Sequence, residues 1–306
     1  MPPRLGAHMS IAGGVDKAVE RAGSAGCEAL QLFTRSTGQW AARPLAAAEI
    51  ARFRRGVKRL GLRPVLVHDS YLINLASPER ALWRRSVAAL VDEIDRCEAL
   101  GASYLVVHPG AHMGSGEEAG IDRIARGLDR IHAARPRARV RVLLETTAGQ
   151  GTTLGHRFEQ LAAVIRRVDD PERVGVCADT AHLYAAGYDI GTAEGWRRTW
   201  EAFDAVLGLE RLAALHVNDS KRPLGSRVDR HEHIGRGAIP FGAFVRLMND
   251  PAFDGLPAVL ETPKGRDLVE DRENLAVLRA LAGRRRAPSR SLAERWRADA
   301  RREAAG

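Results

Sequence analysis

The sequence predicts an α/β protein of the (β/α)8, or TIM-barrel, class, with one barrel domain over residues 1–282 and a basic C-terminal tail over 283–306. Three observations predict it. The 306 residues suit one large α/β domain. Eight short β-prone runs alternate with longer segments of helical periodicity, the pattern of parallel strands joined by right-handed crossovers. Most of those runs end on side chains able to bind a metal ion, as expected when all strand C-termini open onto one functional face.

The eight runs are residues 5–8 (LGAH), 29–33 (ALQLF), 64–68 (PVLVH), 103–108 (SYLVVH), 140–145 (VRVLLE), 174–179 (VGVCAD), 212–219 (LAALHVND) and 258–261 (AVLE). The clearest helix is residues 81–101. Leu82, Val87, Leu90, Val91, Ile94, Cys97 and Leu100 recur near three- and four-residue spacing, and Gly101 sits where a C-cap glycine belongs. Ser77-Pro78 reads as its N-cap followed by proline at the first helical position. An open doubly wound sheet is the alternative, but no G-x-G-x-x-G follows the first strand.

Composition narrows the class. Hydrophobic residues make up 45% of the chain, enough for a large core. No apolar run approaches the roughly 20 residues of a membrane span, and MPPRLGAHMS does not resemble a signal peptide. Cys27, Cys97 and Cys177 give no disulfide framework, so a cytoplasmic location is expected. The net charge is +9, and residues 283–306 hold eight arginines against three acids. That tail reads either as an arm for nucleic acid or as a solvated helix at a frayed end. The interleaving of Glu294, Asp299 and Glu303 favours the helix.

Six strands finish on a metal-ligand type: His68, His108, Glu145, Asp179, His216 and Glu261; His8 ends a seventh. One such residue is ordinary, but six in succession converge on a single bowl, and buried acids need pairing or metal. His182 follows Asp179 by three residues. In GSRVDRHEHIGRG (225–237), Asp229 and His231 stand two apart, so extended backbone turns both to one side. Nine candidate ligands exceed the four of a structural zinc site and suit three ions with positions open to water. Imidazole and carboxylate donors without thiolate favour zinc or manganese. Cys177 reads as packing one step deeper than Asp179.

The stretches HDSYLINLA (68–76), VVHPGAH (106–112), ETTAGQGTTLG (145–155), CADTAHLYAAGYD (177–189), HVNDSKRPLGSRVDRHEHIGRG (216–237) and LETP (260–263) resemble the signatures of endonuclease IV, the family 2 apurinic/apyrimidinic endonucleases. The resemblance runs from about Leu5 to about Leu281. It implies a barrel with three zinc ions, one position open to Mn²⁺. By that likeness His68, His108 and Glu145 hold the first ion. Glu145 bridges to the second, with Asp179, His216 and Glu261. His182, Asp229 and His231 hold the third. It also implies hydrolysis of the phosphodiester 5′ to an abasic site, leaving a 3′-hydroxyl, and trimming of blocked 3′ ends. Glu145 and Glu261 are the catalytic candidates, as carboxylates that orient the attacking hydroxide. The expected partner is double-stranded DNA with abasic sites, taken by a monomer with no membrane involved.

In that family, loops at the C-terminal face enter the minor groove. The corresponding stretches here are TRSTGQW (34–40) and DSYLINL (69–75), with Tyr71 and Leu72 as wedges. Gly38 stands where a long polar or basic side chain is common, and Arg35 or Gln39 is expected to compensate. Ala181 replaces a frequent cysteine that is not a ligand. Asn74, Lys221, Arg222, Arg227, Arg230 and Arg236 are expected at phosphates. Two rival readings remain: a metal-dependent sugar isomerase or epimerase on the same barrel, and a non-catalytic binder of damaged DNA.

Overall fold

A computed structural model describes residues 1–305. Eight parallel strands close into a barrel: β1 (Arg4–Met9), β2 (Ala29–Phe33), β3 (Val65–His68), β4 (Tyr104–Val107), β5 (Arg141–Glu145), β6 (Val174–Asp179), β7 (Leu212–His216) and β10 (Pro257–Leu260). The short strands β8 (Asp219–Ser220) and β9 (His231–Glu232) form an antiparallel ribbon between β7 and β10. The crossovers carry α1 (Val15–Ser24), α2 (Ala47–Leu60), α3 (Arg80–Leu100), α4 (Glu117–Ala134), α5 (Phe158–Arg167), α6 (Thr180–Ala186), α7 (Ala193–Leu207) and α8 (Gly242–Leu247). After β10 come α9 (Val269–Leu281) and α10 (Arg290–Ala305).

The strands read as near-continuous apolar runs because both their faces are buried. Alternate residues such as Leu30, Val65, Val67, Leu105, Leu144 and Val176 pack outward against Phe53, Ile94, Ile124, Leu128 and Leu161 of the helices. The residues between them fill the barrel interior, where Leu66, Val106, Leu143, Cys177, Ala214 and Val259 form a small apolar floor. Each floor residue precedes one of the six strand-end donors by two positions, so period-two alternation delivers His68, His108, Glu145, Asp179, His216 and Glu261 into the bowl above it. Cys177 is packing, as its spacing predicts. At β1 the approach to β2 leaves no room for a side chain: a Cβ on Gly6 would meet Ala29 O at 2.3 Å.

Three expectations are corrected. Helix α3 begins at Arg80 rather than directly after Ser77. The Ser77 hydroxyl instead accepts from the Glu79 amide at 3.1 Å, closing a turn that precedes the helix. Its other end is as predicted, with Gly101 in the left-handed region at φ 76°. The stretch around Asp229 is no free loop, since His231 and Glu232 pair with Ser220 and Asp219. The basic tail forms the expected helix, yet α10 is docked on the barrel rather than frayed. Ala293, Arg297 and Ala300 are buried, and Arg284 lies over the Trp296 ring at 4.8 Å.

A buried ion cluster fixes the loop after β2. Arg35 Nε lies 2.5 Å from Glu93 Oε1, Thr34 donates to Glu93 Oε2 at 2.5 Å, and Arg96 donates to Thr34 Oγ1 at 2.8 Å. Glu93 is the buried acid between two buried guanidiniums, and removing one partner of such a set leaves uncompensated charge. Glu93→Ala should lower unfolding stability by about 3 kcal/mol, read as a shift of the denaturant midpoint. A midpoint equal to the parent's would show that the cluster contributes nothing net.

Candidate metal centre

Each ligand-type side chain is placed by a local device. β3, β5, β6 and β7 deliver their terminal residues directly, while His108 and Glu261 stand one position past β4 and β10. Asp179 doubles as the N-cap of α6: its Oδ1 accepts from the His182 amide at 2.8 Å. That cap folds His182 back over the bowl. The ribbon brings in the remaining two, with His231 Nε2 lying 3.3 Å from Asp229 Oδ1.

Nine side chains named from the sequence thus meet in one place. His68, His108 and Glu145 form one cluster, Glu145, Asp179, His216 and Glu261 a second, and Asp179, His182 and His231 a third. Asp229 completes the third group, since its Oδ2 is 3.2 Å from His182 Nε2. Asp179 therefore faces two clusters, which the sequence did not reveal. Glu145 also faces two, because Oε2 lies 3.1 Å from His68 Nε2 and 2.9 Å from His108 Nε2, while Oε1 lies 2.7 Å from His216 Nδ1. These three His/Asp/Glu clusters are able to coordinate metal ions.

The donor chemistry fits a metal. Four imidazoles have one ring nitrogen beside an oxygen acceptor: His68 Nδ1 at Asp69 O (3.0 Å), His182 Nδ1 at Thr146 O (2.8 Å), His216 Nε2 at Gln31 Oε1 (2.8 Å) and His231 Nδ1 at Glu261 O (3.3 Å). That contact fixes the tautomer and turns the other nitrogen's lone pair to the carboxylates, the arrangement found around ligating histidines. His231 Nε2 is buried and has no hydrogen-bond partner. Burial alone would raise the Glu145 carboxyl, but His216 and His108 outweigh it and hold it well below the usual range. Burial likewise opposes ionisation of Asp229, yet the His182 and His231 imidazoles bring it down to about 2. Both acids are poised as anionic ligands.

Sequence reasoning missed several supporting groups. Gln31 donates to Glu261 Oε1 at 2.6 Å while its oxygen meets His216. A polar residue at the inward position of the apolar run ALQLF was the available signal. Asn218 joins two ligand segments, donating to Asp179 Oδ2 at 2.7 Å and accepting from the Glu261 amide at 2.8 Å. His8 is not in the three clusters; it contacts Gln31 Nε2 at 3.0 Å, and burial lowers its pKa to about 4. His233 faces Asn274 instead of the clusters.

The ten expected DNA-contacting residues divide. Arg35 is corrected: its side chain is 4% exposed and committed to Glu93 and Asp92. Asn74 is corrected because its amide is used internally, accepting from Ala76 and Ala111 and donating to Ala111 O at 2.9 Å. Arg236 is exposed and pairs with Glu294 of α10 at 2.8 Å. Gln39, Lys221, Arg222, Arg227 and Arg230 are exposed around the bowl. Tyr71 is 68% exposed, its ring against Phe33, His68 and His108, and Leu72 beside it is half-buried.

Comparison with known proteins places this site. Residues 19–281 match the family model described as a xylose isomerase-like TIM barrel. A probable endonuclease 4 of Chloroflexus aurantiacus is 52% identical over 279 residues, covering 91% of this chain and 98% of the relative. The crystal structure of endonuclease IV from Thermus thermophilus superposes with a TM-score of 0.81 at 41% identity, covering 91% of this chain and 98% of that one. A D-tagatose 3-epimerase-like protein has a TM-score of 0.69 at 18% identity, over 91% of this chain and 97% of its own. That last likeness concerns the barrel alone. With half of all aligned positions shared over nearly the full length of a relative, this chain belongs to the endonuclease IV family.

Proposed function

We propose that this chain is a metal-dependent DNA-repair hydrolase. It cuts the phosphodiester 5′ to an abasic site, leaves a 3′-hydroxyl, and trims blocked 3′ ends. The observation that carries the proposal is the double-facing Glu145, one carboxylate set between two donor clusters with a third adjacent. In this assignment His68, His108 and Glu145 hold one zinc, and Glu145, Asp179, His216 and Glu261 a second. His182, Asp229 and His231 hold a third, with Asp179 beside it, and one position accepts Mn²⁺. Bound there, the ions concentrate positive charge for a phosphodiester that gains negative charge and lower the pKa of water.

The chain's own residues orient and select. Glu145 and Glu261 are the catalytic carboxylates that orient the attacking water, and the Gln31 amide fixes which oxygen of Glu261 faces inward. A cavity of about 350 Å³ opens beside His108, His182 and Asp229, with Tyr71 and Ala148 on its wall. It suits a sugar without its base, which leaves the duplex more cheaply than an intact nucleotide. Tyr71 and Leu72 enter the minor groove as wedges. Gln39 acts from the loop after β2. Lys221, Arg222, Arg227 and Arg230, without carboxylate partners among the described residues, meet phosphates. A sugar isomerase on this barrel has no evident use for the His182–Asp229–His231 group. A decayed binder fits poorly with nine intact donors. The three buried, unpaired thiols suit a reducing cytoplasm, and the enzyme acts there as a monomer. No helix among the described residues is long and apolar enough to cross a membrane.

The purified protein should nick a duplex with one abasic site without added Mg²⁺. Prolonged chelation should abolish cutting and lower the melting temperature, since metal binds the folded site, and zinc should restore both. Activity that survives complete metal removal would falsify the proposal. Glu261→Gln should reduce kcat by about 100-fold or more while the Kd for abasic DNA stays near the parent's; an unchanged kcat removes Glu261 from the mechanism. Gly38 is exposed with nothing within 4 Å of an added Cβ. Gly38→Arg should therefore fold normally and bind abasic duplex several-fold more tightly, with a steeper salt dependence. Unaltered binding would show that this loop faces away from the DNA.

A further inference from the structure

We propose that helix α10, which lies beyond the family match ending at residue 281, clamps the third metal cluster from outside, with Arg297 and Asn274 as positioning residues for the Asp229–His231 segment. The inference rests on the metal-centre reading above.

Arg297 is one of eight arginines in the tail, and its side chain is only 1% exposed. A guanidinium loses hydration when buried and persists there only if its donors are used. Arg297 donates to the carbonyl of Ile234 and to Asn274 Oδ1 at 3.2 Å, while its Nε lies 3.2 Å from Glu294 Oε1. Asn274, fully buried on α9, is the hub. Its Oδ1 accepts from the Ile234 amide at 3.1 Å. Its Nδ2 donates to Thr262 Oγ1 at 3.1 Å and lies 3.1 Å from His233 Nδ1.

Both backbone groups of Ile234 are therefore held, one by Asn274 and one by Arg297. Ile234 stands three residues after His231, and Thr262 directly follows Glu261. One buried amide thus fastens two ligand-bearing segments, and the tail's guanidinium pins that amide. Around it, Arg236 pairs with Glu294, joining α10 to residues 231–237, and Arg301 pairs with Glu273, joining α10 to α9. From inside, the Asp219 carboxylate holds the amides of Gly235, Gly237 and Ile239 at 2.9, 2.9 and 3.0 Å. On the other side, residues 221–225 are exposed, and the Asp229 amide has only a 3.4 Å contact with Gln150. The outer clamp therefore acts together with the ribbon pairing of His231 and the Asp219 contacts in keeping the geometry of Asp229 and His231. Groups that orient ligands in this way change metal affinity by about 10- to 100-fold when removed.

The test uses the full-length, zinc-loaded protein and three variants: Arg297→Met, Arg297→Lys, and Arg295→Ala as an exposed control on the same helix. Zinc per chain is measured after competition with a graded chelator. Arg297→Met should release one zinc of three at about 10- to 100-fold lower chelator strength while retaining the other two as the parent does. Arg297→Lys, which keeps the charge but not the planar two-pronged donor set, should fall between, and Arg295→Ala should match the parent. Parent-like retention of all three ions in Arg297→Met, or equal loss of all three, overturns the clamp. Hydrogen exchange on the metal-stripped protein reads the clamp separately. Amides 231–237 should exchange faster in Arg297→Met, and unchanged exchange overturns the proposal whether or not zinc binds. A parent that holds no zinc, with faster exchange still seen in the variant, sinks the metal-centre reading and leaves the clamp standing.

Discussion

Glu145 is a carboxylate at the centre of the barrel mouth, out of reach of water and with no arginine or lysine among its ion-pair partners. An ionised acid in that position costs several kcal/mol unless it is compensated. Among the described residues its ion-pair partners are all imidazoles, which are cations only while protonated. Protonating His68, His108, His182 and His216 together would set four positive rings against one another across ring separations of 5.3 to 5.9 Å. Divalent ions remove the conflict. They let the imidazoles stay neutral and donate lone pairs, and they supply compact charge for Glu145 and Asp179 together. The need to compensate this one buried anion explains why so many donors crowd the site and why most imidazoles have their second nitrogen tied to an oxygen.

The barrel meets that need with little apparatus. Six of the eight strands each contribute one apolar residue to the floor and, two positions later, one donor to the bowl. A change of register by one residue would turn the donors toward the helices, so hydrophobic burial on the outer strand face fixes the chemistry of the inner face. The apolar floor also keeps water from beneath, where it would weaken the electrostatic contacts above. Packing and site chemistry are two consequences of one alternation.

That alternation is why so much could be read from the chain. Seven of the eight barrel strands and six of the nine donors follow from a period of two ending on a ligand type; β2 reads only as an apolar run, and His182, Asp229 and His231 follow from their spacing. Gln31 obeys the same period but escaped notice because an amide is no metal ligand; its place depends on closure of β1 and β2 against β10, which no local pattern reports. Arg35 and Asn74 show the opposite failure. As residue types they suit phosphate contacts, but Glu93 and Ala111 claim them from sequence-distant elements. The docking of α10 was hidden for a similar reason. All eight of the tail's arginines look solvated in sequence, and nothing local distinguishes Arg297, whose partners on Ile234 and Asn274 are 63 and 23 residues away.

The distribution of the donors also bears on what distinguishes this site from others on the same barrel. Strand ends are a property of the fold, and a ring of polar groups at the C-terminal face is common to proteins of unrelated chemistry. The barrel likeness to an epimerase-like protein at 18% identity therefore carries no weight for the reaction. The third cluster differs in kind. His182 depends on an N-cap beyond β6, and Asp229 and His231 on a ribbon inserted between β7 and β10. None of the three lies on a barrel strand, so each must be supported by elements added outside the closed sheet. A barrel that kept its strand-end donors but lost that ribbon would still bind metal, through Glu145 and its neighbours. It would lack the ion that extends positive charge toward the open rim, where Lys221, Arg222, Arg227 and Arg230 stand exposed.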